Sequence, residues 1–202
     1  MARLKSGWNQ RGRARSLEEI GSAISFNIWQ IAGQAVLDLE NEGFQTDTQS
    51  QRLDVLTEFA AYLVQLVDRM VYEQFDLEQR NTLISSAGIH MAGVLQDNRQ
   101  ETDGPGDYRS DFLNLLNQRI ADYSSCQFSR IDGPSFVFMR VLGDHVSKQM
   151  GEKDNKWITG YVIDIAAEKL FKSLRRVLPG LIDPAKRPAQ VESNEDLSKN
   201  YD

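Results

Sequence analysis

Residues 16–40, SLEEIGSAISFNIWQIAGQAVLDLE, decide the fold class of this chain. Ser16 and Glu19 have the spacing of a capping box, in which each side chain binds a backbone N–H at the start of a helix. Phe26 and Trp29 widen the apolar surface beyond one stripe, which is typical of a central helix. The stripe itself follows helical steps of three and four residues: Leu17, Ile20, Ile24, Ile28, Ile31, Ala35 and Leu39. The sequence therefore predicts a central helix that ends near residues 41–43.

This helix contains an uncharged run, residues 20–37, whose eighteen residues approach the length of a membrane span. Five polar side chains interrupt the run, and each would be costly in hydrocarbon unless it were satisfied: Ser22, Ser25, Asn27, Gln30 and Gln34. The basic N-terminus is not followed by the compact apolar region of a secretory signal. We therefore expect a buried helix, no transmembrane segment and a cytoplasmic protein.

Helical spacing and turn signals extend this pattern along the chain. Asp76 and Gln79 form a second capping pattern, Gly-Pro-Gly at 104–106 and Asp-Gly-Pro at 132–134 mark turns, and Pro-Gly at 179–180 is expected to end the last helix. Apolar periodicity predicts the further helices: 47–74, 76–98, 108–124, 135–150 and 156–178. No convincing run of alternating strand pattern is present. The sequence predicts an all-α fold.

The expected architecture is a single bundle of about six helices over residues 16–182. A flexible basic arm, residues 1–15, precedes it, and a disordered polar tail, residues 183–202, follows it. The arm carries five bases and no acid, whereas residues 16–51 carry six acids and no base. Basic residues dominate again near the end of the bundle. The acidic segment 16–51 and the basic residues near the end of the bundle could attract each other within a monomer or between subunits.

The residues that carry chemistry are few and form no known motif. The chain has two histidines and one cysteine, Cys126. Neither His90 nor His145 has the glutamate three residues earlier that a di-iron site needs, and zinc needs three or four suitable ligands. Phosphate-loop and nucleophile-elbow motifs are missing. We therefore predict no metal, no cofactor, no catalytic residue and a buried or idle thiol at Cys126.

Residues 85–94, SSAGIHMAGV, place His90 beside Met91. Adjacent helical residues point about 100° apart, so these two cannot bind one iron from the same side. Ser85, Gly88 and Ala92 form a row of small residues that suits the close approach of another helix. We expect His90 to be a hydrogen-bonded core histidine and Met91 to fill the core, with a ligand role for either as the alternative.

The sequence is compatible with two main hypotheses about function and with a weaker third one. The first is a bundle that works through protein contacts, as an oligomeric scaffold, adaptor or regulator. Its candidate contact residues are Phe26, Trp29, Lys169, Lys172, Arg175 and Arg176. The alternative is a small-molecule-binding or catalytic protein with a pocket between helices. Residue type and inward phase select the candidate lining: Tyr62, His90, Tyr123, His145 and Tyr161.

The weaker hypothesis is contact of the arm, residues 1–15, with a nucleic acid or an anionic surface, because Trp8 lies among its bases. The formal net charge of −6 over 202 residues argues against broad nucleic-acid binding.

Overall fold

Six helices hold most of the residues that the computed structural model describes, which are 15–151 and 154–183. The first five are α1 Leu17–Asn41, α2 Gln49–Val71, α3 Leu77–Asp103, α4 Tyr108–Tyr123 and α5 Phe136–Gln149. The sixth, α6, is continuous but has three segments: Asn155–Tyr161, a π-helical turn Val162–Ala166, and Ala167–Ile182. The prediction of an all-α bundle of six helices is confirmed. Residues 1–14 of the predicted arm and 184–202 of the predicted tail lie outside the described residues.

Two predicted helix starts are confirmed in atomic detail. The Ser16 hydroxyl accepts the N–H of Glu19 at 3.2 Å, and the Glu19 carboxylate accepts the N–H of Ser16. Asp76 and Gln79 form the equivalent box before α3. Each box satisfies backbone donors that a helix leaves without a partner in its first turn.

Three predicted helices differ from the structure by two residues or more at one or both ends. Helix α2 is shorter than the predicted 47–74, because the Thr48 side chain accepts the N–H of Gln51 and sets the start at Gln49. Helix α3 passes its predicted end near residue 98 and stops only where Gly104 takes a φ of 87°. Helix α6 also continues through Pro179 to Ile182. Pro179 removes the one helical hydrogen bond that its own N–H would donate, and burial of Leu178 and Leu181 can offset this loss and hold the last turn.

A two-stranded antiparallel hairpin lies between α4 and α5, where only a break with a turn was expected. Phe128 pairs with Pro134 and Ser129 pairs with Gly133. Strands of two residues are too short to show an alternating pattern, so periodicity cannot predict them. Gly133 has a φ of 86°, a conformation that favours glycine.

Helix α2 is the most enclosed element, since every residue from 55 to 67 is buried. Helices α1, α3, α4, α5 and α6 all pack against it. The predicted central helix, α1, packs against α2, α3 and α6 and keeps one face towards solvent. Within the described residues, no helix is both long enough and apolar enough to cross a membrane.

Candidate functional site

A buried ion pair joins α2 to α4. The Glu58 residue is only 1% exposed, and its two carboxylate oxygens each accept a hydrogen bond from Arg119, at 2.8 Å from Nε and 2.6 Å from Nη2. This two-point geometry matches the planar guanidinium to the planar carboxylate. Because Glu58 is removed from water, the pair depends on these hydrogen bonds to offset the cost of burying its charges.

Two residues of α5 and a second carboxylate extend the pair into a cluster. Asp122 accepts a hydrogen bond at 3.0 Å from Arg119 Nη1, and its carboxylate also lies 3.0 Å from His145 Nε2. Gln149 Nε2 lies 3.4 Å from the Glu58 carboxylate. We call these five residues the Glu58 cluster. It connects α2, α4 and α5, and it supplies His145 with the carboxylate from another helix that an acid–base role would need.

The electrostatics of the cluster favour a neutral imidazole beside a charged guanidinium. Burial lowers the pKa of His145, and the positive charge of Arg119 lowers it further, although Glu58 and Asp122 partly offset both effects. Burial also opposes the charge of Arg119, but its hydrogen bonds to Glu58 and Asp122 outweigh this and raise its pKa. At neutral pH, His145 is therefore a neutral imidazole in contact with Asp122 rather than a second cation.

Three aromatic rings pack together in the core next to this cluster. Tyr123 stacks on Phe138 with ring centroids 4.7 Å apart, and Tyr62 meets the same Phe138 ring edge-on at 5.5 Å. The hydroxyls of both tyrosines are buried and have no hydrogen-bond partner among the described residues. Burial raises the pKa of each. Both side chains are therefore neutral phenols, unsuited to act as phenolate bases.

The structure brings together some of the predicted ligand residues and separates others. Tyr62 and Tyr123 are in contact, with centroids 5.9 Å apart, and His145 belongs to the adjoining Glu58 cluster. Tyr161 packs instead against Phe44, at 5.1 Å, beyond the end of α1. The prediction that His90 lies in the core is wrong, because its side chain is exposed on α3.

Met91, Gly88 and Ala92 are buried as expected, whereas Ser85, the third member of the predicted small-residue row, is exposed. Met91 is fully buried. A Cβ on Gly88 would come within 2.9 Å of Leu116, so the missing side chain allows α4 to approach α3 closely. From the sequence, either of two neighbouring rows of α3 could face the core, one containing His90 and the other containing Met91. The packing of the helices buries the row that contains Met91. His90, about 100° away round the helix, is left outside.

Sequence reasoning missed Arg119 and the pairing of Glu58. A glutamate inside the apolar run of α2 is a signal in principle, since a fully buried carboxylate needs a partner. Arg119 gives no such signal, because α4 carries polar side chains at most positions. The partner of Glu58 follows only from the way that the two helices pack.

Metal and nucleophilic chemistry find little support in this region. Nowhere in ranges 15–151 and 154–183 do three or more His, Cys, Asp or Glu side chains come together to hold a metal ion. Cys126 is buried, as expected, and burial raises the pKa of its thiol. A thiol with a raised pKa is mostly protonated near neutral pH and is a poor nucleophile.

The exposed face of α1 is the second region of interest. Phe26 and Trp29 are half-buried, Leu37 is 43% exposed, and a Cβ on Gly33 would meet no atom within 4 Å. With the exposed Gln30, these residues form what we call the α1 face. It lies within the uncharged run 20–37 and is bordered by two grooves of about 310 and 350 Å³.

The predicted basic stripe on α6 has mixed partners. Lys169 reaches Asp38 of α1 at 3.4 Å, and Lys172 pairs with Glu168 within α6 at 2.7 Å. Arg175 donates a hydrogen bond to the Ile131 carbonyl. Arg176 is exposed and borders the groove between α6 and α1. In the described part of the chain, the ion pair between Lys169 and Asp38 joins the acidic first helix to the basic last one.

Comparison of the chain with models of protein families, with curated proteins and with solved structures found no match. The geometry of the chain itself is therefore the basis for any functional inference.

Proposed function

We propose that this chain acts through protein–protein contacts rather than catalysis, as an oligomeric scaffold, adaptor or regulator, with the α1 face as its contact surface. The observation that carries the proposal is the absence of charge on that face. The helix is partly exposed over five turns, yet residues 20–37 contain no Asp, Glu, Lys or Arg. Interface cores are depleted in charged residues and enriched in aromatic ones.

The composition of the α1 face fits a contact surface in two further ways. Phe26 and Trp29 supply aromatic area, and tryptophan is among the residues that most often dominate binding energy. Gly33 leaves a gap beside them in which a partner side chain can be accommodated. The two bordering grooves would allow such a partner to interdigitate on both sides of α1.

We take a second copy of this chain as the partner. A two-fold dimer brings the same patch of each subunit together, and an uncharged face meets itself without repulsion. A net charge of −6 makes other parts of the surface less suited to self-association. The dimer would act as a scaffold, and the surface outside the α1 face would bind its further partners.

The test measures the mass of the full chain by light scattering over a roughly hundredfold range of concentration, since dimerisation depends on concentration. Gly33→Lys adds a charge to the α1 face where its Cβ meets nothing, so the fold should be retained. The matched control is Gly160→Lys on α6, whose Cβ also meets nothing within 4 Å. We expect dimers for the natural chain and the control, and monomers for Gly33→Lys. A natural chain that stays monomeric throughout, or a Gly33→Lys dimer, would overturn the proposal.

The alternative hypotheses have less support. A ligand pocket lined jointly by His90 and Tyr161 with the core tyrosines is disfavoured, because His90 is exposed and Tyr161 packs against Phe44. Nucleic-acid or anionic-surface contact depends on the arm, of which only Arg15 is described. A cytoplasmic location stays a prediction, which microscopy of a fluorescent fusion in the source cells would test.

A further inference from the structure

A groove of about 320 Å³ opens where the C-terminal ends of α2 and α6 meet the hairpin. Its lining is mixed, and the apolar part consists of Phe128 from the hairpin, Phe171, Leu178 and Ile182 from α6, and Met70 from α2. The volume lies at the lower end of the range found for small-molecule sites. It corresponds to roughly ten water molecules, and so to a ligand of about ten non-hydrogen atoms.

The walls of the groove are held in place by packing. Phe128 and Phe171 meet edge-on with centroids 5.9 Å apart. Gly133 lies so close to the Phe171 ring that an added Cβ would be 2.5 Å from it. The hairpin therefore packs directly on α6, and the aromatic wall of the groove is already formed without a ligand. A preformed apolar wall lowers the ordering cost of binding.

Two guanidinium groups line the polar part of the groove. Arg175 lies over the Phe171 ring, 5.9 Å from its centroid, and donates to the Ile131 carbonyl at 3.3 Å. Within the described ranges, Arg175 has no carboxylate partner. Arg130 pairs with Glu73, but both side chains are more than half exposed, so water competes for this pair.

These observations point to an organic anion as the ligand, and we propose that the groove binds a small amphiphilic carboxylate. Arg175 would bind the carboxylate with the guanidinium N–H groups that do not donate to the Ile131 carbonyl. The guanidinium geometry suits two parallel hydrogen bonds to a carboxylate. The apolar chain or ring of the ligand would lie against Phe128 and Phe171. Asp183 also lines the groove, and its charge favours a singly charged carboxylate over a doubly charged phosphate.

Octanoate is a suitable probe because its size matches the groove and octanol offers the same chain without the charge. Titration calorimetry on the full chain should show saturable binding of octanoate and at least tenfold weaker binding of octanol. Arg175→Gln should weaken octanoate binding by tenfold or more and leave octanol unaffected. This difference is what loss of a charge-assisted hydrogen bond predicts.

Arg176→Gln is the matched control, because it removes the neighbouring exposed charge on α6 but borders a different groove. Its octanoate affinity should equal that of the natural chain, and circular dichroism should show that both variants keep their helices. The proposal is overturned if octanoate shows no saturable binding, if octanol binds as well as octanoate, or if Arg176→Gln loses as much affinity as Arg175→Gln. None of these outcomes depends on whether the α1 face forms a dimer.

Discussion

Replacing Arg119 by methionine should cost this fold about 3–5 kcal/mol, because it leaves a buried carboxylate without its partner. Glu58 is 1% exposed and receives two short hydrogen bonds from Arg119. After the change, the donor that remains to Glu58 among the described residues is Gln149, whose Nε2 is 3.4 Å away. A single long hydrogen bond replaces little of the lost interaction, so we expect nearly the full penalty.

Urea unfolding followed by circular dichroism measures this loss directly, and thermal melts provide a second measure. At roughly 2–4 °C per kcal/mol for a chain of this size, the melting temperature should fall by about 6–20 °C. The double variant Glu58→Leu with Arg119→Met should recover most of the loss, since apolar replacements of buried ion pairs are often neutral or stabilising. The coupling free energy from the two single variants and the double variant isolates the pair.

Arg99→Met provides the matched control. The Arg99 and Arg119 side chains are similarly buried, at 13% and 11% exposure, but the main partner of Arg99, Asp54, is 40% exposed. Water can solvate Asp54 once its partner is lost, so we expect a cost of about 1 kcal/mol or less. If Arg119→Met costs no more than Arg99→Met, the burial of Glu58 does not control the energetics of the cluster and this reasoning is wrong.

Two further changes test other parts of the structure. His145→Gln should flatten the dependence of stability on pH below about 6.5, because the lowered pKa of His145 in the fold means that the unfolded chain binds a proton first as the pH falls and gains stability relative to the fold. The difference in urea unfolding free energy between the natural chain and the variant should be constant above about pH 7 and change below about 6.5. A difference that stays constant from about pH 7 to 5 would contradict the assignment. Gly133→Ala should lower the free energy of unfolding by about 2–4 kcal/mol, since it forces a side chain into a positive φ and against the Phe171 ring. A thermal melt unchanged from that of the natural chain would show that the hairpin does not pack on α6.

The sequence predicted the features of this fold that are local. A capping box needs only Ser16 and the residue three positions later, and the helices on either side of a turn need only their apolar spacing. The misplaced ends of α3 and α6 show where local information stops. Arg99, in the last turns of α3, forms ion pairs with Asp54 of α2 and Asp103 of α3. The first of these contacts is a tertiary one that periodicity does not contain.

The candidate sites were harder to predict for the same physical reason. The Glu58 cluster combines residues from α2, α4 and α5, and its central arginine lies on a helix with a weak apolar pattern. Spacing along one helix indicates which residues share a face, but it does not indicate which face of another helix will lie opposite. The uncharged run that contains the α1 face can be read directly from residues 20–37, but the sequence predicted a buried helix there and did not indicate that one side of it would be exposed.

The groove beside Arg175 shows how little of such a site a single helix contains. Its aromatic walls are Phe128 and Phe171, more than forty positions apart along the chain, and a hairpin with two-residue strands brings them together. The local signal that survives in the sequence is Gly133, because only a residue without a side chain fits between the turn of the hairpin and the Phe171 ring. A glycine in a turn is usually explained by its backbone conformation alone. Here its second role, close approach to an aromatic ring, ties the turn to the wall of the groove, so a change that strains the hairpin should also weaken octanoate binding.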